Sequence, residues 1–173
     1  MSIMIELRPE CGPVLIVGGG KVAERKASVV SSGEFTITVI APEIRDRIHN
    51  LPFVTIHERV FAPGDIPGEP RWSLVMACTD DRAVNQEVGR LARAADIPVL
   101  VADRQAESTF FTPATIQDGE LKVAVSTGGA SPELAKFIRE RVVSALGPRW
   151  GGIVHVARVE REERLAKKRQ GSQ

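Results

Sequence analysis

The chain has 173 residues, 43% hydrophobic and 26% charged, with a formal net charge of +1. A chain of this size hides roughly 70% of its unfolded surface on folding, and the charge balance excludes a disordered polyelectrolyte or a global pull toward nucleic acid or membrane. Two distant cysteines, Cys11 and Cys78, exclude a disulfide framework or a metal knuckle.

Pro13–Val17 is a short apolar run ended by Gly18 and predicts a buried strand. Lys21–Ser32 has no breaker and predicts a helix closed by Gly33. Phe35–Ala41 is rich in β-branched residues and predicts a second strand. Pro42–Asn50 predicts a short helix with Pro in its first turn, and Phe53–Arg59 a third strand. The Pro/Gly-rich stretch Val60–Pro70 predicts a connecting loop. Ser73–Cys78 predicts a fourth strand, after which Thr79, Asp80 and Asp81 offer capping oxygens to a helix over Ala83–Ala95. Pro98–Ala102 predicts a fifth strand, ending at Asp103. Alternating apolar strands and helices imply a parallel sheet covered on both faces, an α/β Rossmann-like doubly wound fold.

Beyond Asp103 the pattern changes. Ser108–Thr127 sets Asp118-Gly119 between two strand-like runs and predicts a β-hairpin. Ala130–Leu146 predicts a helix with Ser131 as N-cap, Pro132 in the first turn, and an apolar stripe of Leu134, Phe137, Ile138 and Val142 with Arg141 beside it. Gly147-Pro148 stops it. Arg149–Gln173 is highly charged and predicts a solvated helix frayed at its end, in preference to a nucleic-acid arm. The N-terminal stretch carries Glu6 and Glu10 without an apolar core, unlike a signal peptide, and no apolar run nears the ~18 residues of a membrane span. The expectation is a cytoplasmic protein with reduced thiols and neither membrane nor nucleic-acid partner.

Gly18, Gly20 and Ala23 fit G-x-G-x-x-G/A between a strand and a helix. In that pattern Gly18 permits the tight turn, Gly20 admits a pyrophosphate to the backbone, and Ala23 lets helix and sheet pack closely. The helix amides then face the anion. The alternative is a glycine turn that binds nothing. The acid expected after the second strand to hold the adenosine ribose is displaced to Glu43, beyond Ala41-Pro42. With no arginine there before Arg45, NAD is favoured over NADP. Thr79 and Asp80 lie at the same sheet edge, where they shape the cofactor cleft or cap the next helix. Asp103 ends the fifth strand at the carboxyl edge where open α/β sheets bind ligands. It is either a proton acceptor for a hydride-transfer reaction or a loop-capping aspartate. His49, His57 and His155 are scattered, so no metal site is expected. Ser126–Gly129 leads into a capped helix N-terminus, a candidate anion site.

Four ordered blocks, "VLIVGGGKVAERKA", "ACTDDRAVNQEV", "VADRQAESTFFTPATI" and "LKVAVSTGGASPELAKFIRE", resemble the precorrin-2 dehydrogenase module of siroheme synthases over Val14–Leu146. The resemblance implies an enzyme that oxidises precorrin-2 to sirohydrochlorin with NAD in siroheme biosynthesis. It implies three parts: an NAD-binding Rossmann domain (1–104), a dimerisation hairpin region (105–128) and a C-terminal helical region (129–173). It further implies a homodimer. It carries cofactor contacts onto Lys21, Val22, Pro42 and Glu43, beside Gly18, Gly20, Thr79 and Asp80. The family's general-base aspartate matches Asp103. Substrate contacts fall on Ser126, Thr127 and Gly128, with Arg104, Lys136, Arg139 and Arg141 as candidate partners for substrate carboxylates. This chain departs from the pattern in having Leu100-Val101-Ala102 before Asp103, where an asparagine is usual, and in its short, charged C-terminal part. Some family members also insert ferrous iron, so a dehydrogenase–ferrochelatase is one alternative. A non-catalytic NAD(H) sensor is the other.

Overall fold

Val14–Val17 forms β1, four residues buried on both faces. Its alternating side chains serve two cores, one for each face of the sheet. Val14 and Ile16 join Ala23, Ala27 and Val30 on one face. Leu15 and Val17 join Val88, Ala92 and Trp72 on the other. The first face is covered by α1 (Lys21–Ser32), the second by α3 (Arg82–Ala94). Four further strands complete the sheet: β2 (Ile37–Ala41), β3 (Val54–Glu58), β4 (Leu74–Ala77) and β5 (Val99–Val101). All pairs are parallel, in the order β3-β2-β1-β4-β5. Strands fed from either side of β1 place the reversal of strand order between β1 and β4, the point at which such sheets bind ligands.

The computed structural model describes residues 3–66, 68, 70–147 and 149–170. Pro148, expected as a helix stop, lies outside them, as do Pro67 and Glu69 of the expected loop and 171–173 of the expected frayed end. The chain divides into two compact units, Met1–Phe111 and Thr112–Gln173.

One expectation for the first unit changes, and another narrows to one residue. The helix expected over Pro42–Asn50 shrinks to α2, the single turn Asp46–His49. Residues 42–45 are diverted to the glycine loop, where the Arg45 amide donates to the Gly19 carbonyl at 3.1 Å and Arg45 itself is extended. The cap of α3 is Asp81, whose carboxylate accepts from the Ala83 and Val84 amides. Thr79 turns inward instead, as described below.

In the second unit, β6 (Ala114–Asp118) and β7 (Leu121–Val125) form an antiparallel hairpin closed by Gly119-Glu120, with Gly119 at φ +56. Helix α4 (Pro132–Leu146) packs on both strands, and α5 (Trp150–Gln170) contacts β7. The hairpin tip is fastened to α5. Asp118 Oδ2 accepts from the Gly151 amide at 3.0 Å, and Glu120 accepts from Arg158 at 2.9 Å and lies 3.1 Å from His155 Nδ1. The stripe expected on α4 is not a buried seam: Leu134, Phe137 and Ile138 are 49%, 52% and 38% exposed, and Ala135 is the buried residue of the helix. The Arg141 guanidinium lies over the Phe137 ring, 5.2 Å from its centroid, a cation–π contact.

Candidate functional site

The register fixes the site before any side chain does. Val17 aligns with Ile40 and with Ala77, and Ala77 aligns with Val101. The residues that follow each strand therefore emerge at one edge: Gly18, Pro42 with Glu43, Thr79 and Asp103.

The three glycines differ in what requires them. Gly18 has φ +124, and a Cβ there would strike the Cys78 carbonyl. A Cβ on Gly19 would run into the Glu43 carbonyl oxygen. These two are demanded by the protein's own backbone, which draws the loops after β4 and β2 tightly around the loop after β1. Gly20 is different. A Cβ there meets nothing within 4 Å, and its φ of −82° is open to any residue. Gly20 leaves open space at the start of α1, where no side chain caps the helix. The first intrahelical bond is Glu24 N to Gly20 O at 2.9 Å, so the Lys21, Val22 and Ala23 amides precede it and are the helix's orphan donors. Uncapped amides beside a cradle that a Cβ would fill suit a dinucleotide pyrophosphate. Lys21 and Val22 are both exposed at this edge, and buried Ala23 seats the helix on the sheet.

Arg45 is not aimed into the site. Its Nε donates to Glu24 Oε2 at 2.5 Å, and Arg47 lies 3.5 Å from Glu24 Oε1. Glu24 thus engages the arginine that would otherwise be nearest to a ribose 2′-phosphate, while exposed Glu43 follows β2.

On the β4–β5 side, Thr79 and Asp103 meet through Asn85, which is 1% exposed. Asn85 Oδ1 accepts from the Thr79 amide at 3.0 Å and from its hydroxyl at 2.8 Å. Asn85 Nδ2 donates to the Thr79 carbonyl at 3.0 Å and to Asp103 Oδ1 at 2.9 Å. Arg82 Nη1 lies 3.5 Å from Asp103 Oδ2, and its other terminal nitrogen donates to Glu107. The Asp103 side chain is 36% exposed, so it is anchored on one side and open to solvent on the other. Asp80 and Arg104 flank this group, both exposed. Cys78, behind the glycine loop, has its thiol pushed up to about 11 by burial, with Lys26 and Arg25 pulling the other way. It is a neutral packing group at pH 7, not a nucleophile. Lys26 is held below its usual value, chiefly by burial.

The remaining expected residues belong to the second unit. Gly128 and Gly129 have φ +64 and +84, which makes the Ser126–Gly129 turn possible. Ser126 and Thr127 largely serve the turn itself: Ser126 Oγ accepts from the Gly128 amide at 3.1 Å, and Thr127 Oγ1 accepts from the Ser131 amide at 3.1 Å. Ser131 Oγ caps the Leu134 amide at 3.1 Å. Among the described residues no cluster of three or more His, Cys, Asp or Glu is placed to hold a metal, and no helix is long and apolar enough to cross a membrane.

Asn85, Arg82 and Glu107 escape a sequence reading. The usable signal is Asn85 in the buried stripe of α3, with Val88, Gly89 and Ala92 at the following helical positions. A polar residue on a buried face must find partners.

Residues 3–114 match the family described as putative NAD(P)-binding, and residues 118–145 the family described as sirohaem biosynthesis protein central. The siroheme synthase of Methylococcus capsulatus is 40% identical over 165 residues, covering 94% of this chain and 34% of the relative. That of Methylobacillus flagellatus is 35% identical over 171 residues, with the same coverage. The chain thus spans about a third of the length of these curated relatives. Among solved structures, one titled "SirC, precorrin-2 dehydrogenase" matches with a TM-score of 0.73 at 26% identity, over 90% of this chain and 75% of that one.

Proposed function

We propose that this chain, which belongs to the putative NAD(P)-binding family as it occurs in siroheme synthases, oxidises precorrin-2 to sirohydrochlorin with NAD as hydride acceptor. The observation that carries the cofactor half is the cradle at Gly20 with its uncapped Lys21, Val22 and Ala23 amides. Pro42 and Glu43 flank the adenosine end, and Thr79 with Asp80 borders the nicotinamide end. The pairing of Arg45 with Glu24 favours NAD over NADP. The substrate half is supported by the names of the relatives and of the solved structure.

In this reading the bound cofactor supplies a hydride acceptor. The chain's residues bind it, exclude side reactions and handle the proton. With that acceptor bound, the substrate would give up a hydride and a proton, and Asp103 would take the proton. Ser126, Thr127 and Gly128 shape a turn whose glycine amides and helix start suit a substrate carboxylate. On the first unit, exposed Arg104 offers the substrate a cation. The protein acts in the cytoplasm.

The chain works as a homodimer, joined through the hairpin region (105–128) and the helical region (129–173). Support comes from the exposed apolar side chains Leu134 and Phe137 on α4 and Trp150, Ile153 and Val156 on α5, the kind of surface that an interface covers. Phe137→Glu is expected to weaken association at least about tenfold, read by sedimentation equilibrium. An unchanged dimer would remove this face from the interface.

The test of function is anaerobic incubation of the chain with precorrin-2 and NAD, following NADH absorbance. No NADH formation defeats the reading. NAD binding without turnover would instead indicate a sensor. A parallel arm with sirohydrochlorin and ferrous iron tests the second reading, favoured by the relatives' name, that the chain also inserts iron.

A further inference from the structure

Asn85 commits both of its N–H donors at the carboxyl edge. A carboxamide has two N–H donors and two acceptor positions. Asn85 Oδ1 takes the Thr79 amide and hydroxyl, and Nδ2 gives to the Thr79 carbonyl and to Asp103 Oδ1. The orientation of the amide follows from chemistry alone. The Thr79 N–H can only donate and the Thr79 C=O can only accept, so Oδ1 faces the former and the NH₂ group the latter. What meets Asp103 Oδ1 at 2.9 Å is therefore an N–H donor. Asn85 is 1% exposed and fixed by α3, so this donor cannot swing away.

Resting on the proposed dehydrogenase reading, we propose that Asn85 is a positioning residue: it pins Oδ1 of Asp103 and leaves Oδ2 as the oxygen that takes the proton. The charged groups around Asp103 fit this division. Arg82 Nη1 lies 3.5 Å from Oδ2, too far for a short hydrogen bond. Glu107 draws the Arg82 guanidinium toward itself, and Arg104, next in the chain, is exposed. Oδ2 thus meets Arg82 at 3.5 Å, a longer contact than the 2.9 Å hydrogen bond that commits Oδ1. The step balances. The substrate loses a hydride to NAD⁺ and a proton to Oδ2, and Asp103 passes the proton to water before the next turnover.

The decisive variant is Asn85→Asp, which keeps size and shape but sets a carboxylate where the donor was. Expected are a fall in kcat of about 100-fold at neutral pH from loss of alignment, with KM for precorrin-2 and the Kd for NAD within about threefold of wild type. The acid limb of the pH–kcat profile should move upward, because a second carboxylate then faces the first. A readout without turnover accompanies it: the pH dependence of the Asp103 ¹³C carboxyl signal in the NAD-free variant should move in the same direction relative to wild type. The unfolding midpoint is measured in parallel. If Asn85→Asp does not fold, Asn85→Ser takes its place, with kcat falling at least about tenfold at unchanged KM. Wild-type kcat together with an unmoved acid limb would overturn the positioning role. A fully active Asp103→Asn would remove the proton acceptor itself, and a wild-type chain that forms no NADH would defeat the reading beneath both. The three failures are therefore distinct.

Discussion

In the first unit Val14, Leu15 and Ile16 are wholly buried, whereas in the second Phe137, Ile153 and Val156 are each more than half exposed. The side chains are of similar apolar chemistry, so the contrast lies in how many layers cover them. A five-stranded sheet with α1 on one face and α3 on the other encloses two cores. A two-stranded hairpin has one face to give, and α4 and α5 leave even Ile116, Leu121 and Val123 only half-buried. A lone hairpin is marginal in water and needs further cover. The first unit therefore carries its own stability and the cofactor edge. The second leaves much of its apolar surface uncovered.

The widest gap between the units should appear when one apolar side chain is cut back in each. Ile16→Ala should lower the unfolding free energy by about 2–5 kcal/mol, since it opens a cavity in a closed core. Ile153→Ala, at a dilution where the chain is monomeric, should change it by less than about 0.5 kcal/mol. Urea titration of both variants checks this, and equal losses would mean that the second unit has a core of its own.

A smaller effect is expected where the long crossover before β4 is tied down. Asp65 accepts two hydrogen bonds from Arg59, at 2.6 and 2.9 Å, and one from the Ala62 amide at 2.8 Å. Asp65→Asn should lose about 1–3 kcal/mol, again by urea titration. The Arg59 hydrogen bond holds the Asp65 carboxyl below its ordinary 3.8. A depressed carboxyl stabilises fully above that value, and the contribution fades as pH falls through the lower folded value. Protection of the loop amides from hydrogen exchange should follow the same course.

The smallest effect belongs to the second unit. Glu120 is held below its ordinary 4.5 by its hydrogen bond to His155 and then by Arg158. By the same sign, its hold on α5 is complete above 4.5 and weakens in more acid solution. Exchange of the α5 amides should quicken there before the core strands of the first unit respond. Simultaneous loss in both regions would merge the two units into one cooperative block.

Most of the sheet was legible because each strand is an apolar run between breakers, a pattern that buried parallel strands impose. The placement of the candidate site was legible only where backbone geometry dictates residue type, as at Gly18, or where a strand end fixes position, as at Asp103. Asn85 was not, because a sequence does not say which partner a polar residue on a buried helix face will meet. The helix expected at Pro42 failed for a related reason: its backbone is claimed by Gly19, 26 positions before Arg45. Long-range claims of that kind leave no local periodicity to read. In α4 the stripe itself was legible, but nothing in one chain's sequence says whether a stripe is covered from within.

The empty space beside Gly20 separates two properties that active-site mutations usually confound. Gly18 and Gly19 are hemmed in by the protein's own backbone, so changing them disturbs folding and binding together. Gly20 borders nothing of the protein, so Gly20→Ala should leave the unfolding midpoint unchanged while weakening NAD at least about tenfold, as calorimetric titration would show. In the proposed homodimer such a chain is a silent subunit, folded and able to assemble but poorly loaded with cofactor. Mixed in known proportion with wild type, it would show whether each half of a dimer turns over alone or both must be loaded: activity falling linearly with its fraction means independent halves, and a steeper fall means coupled ones.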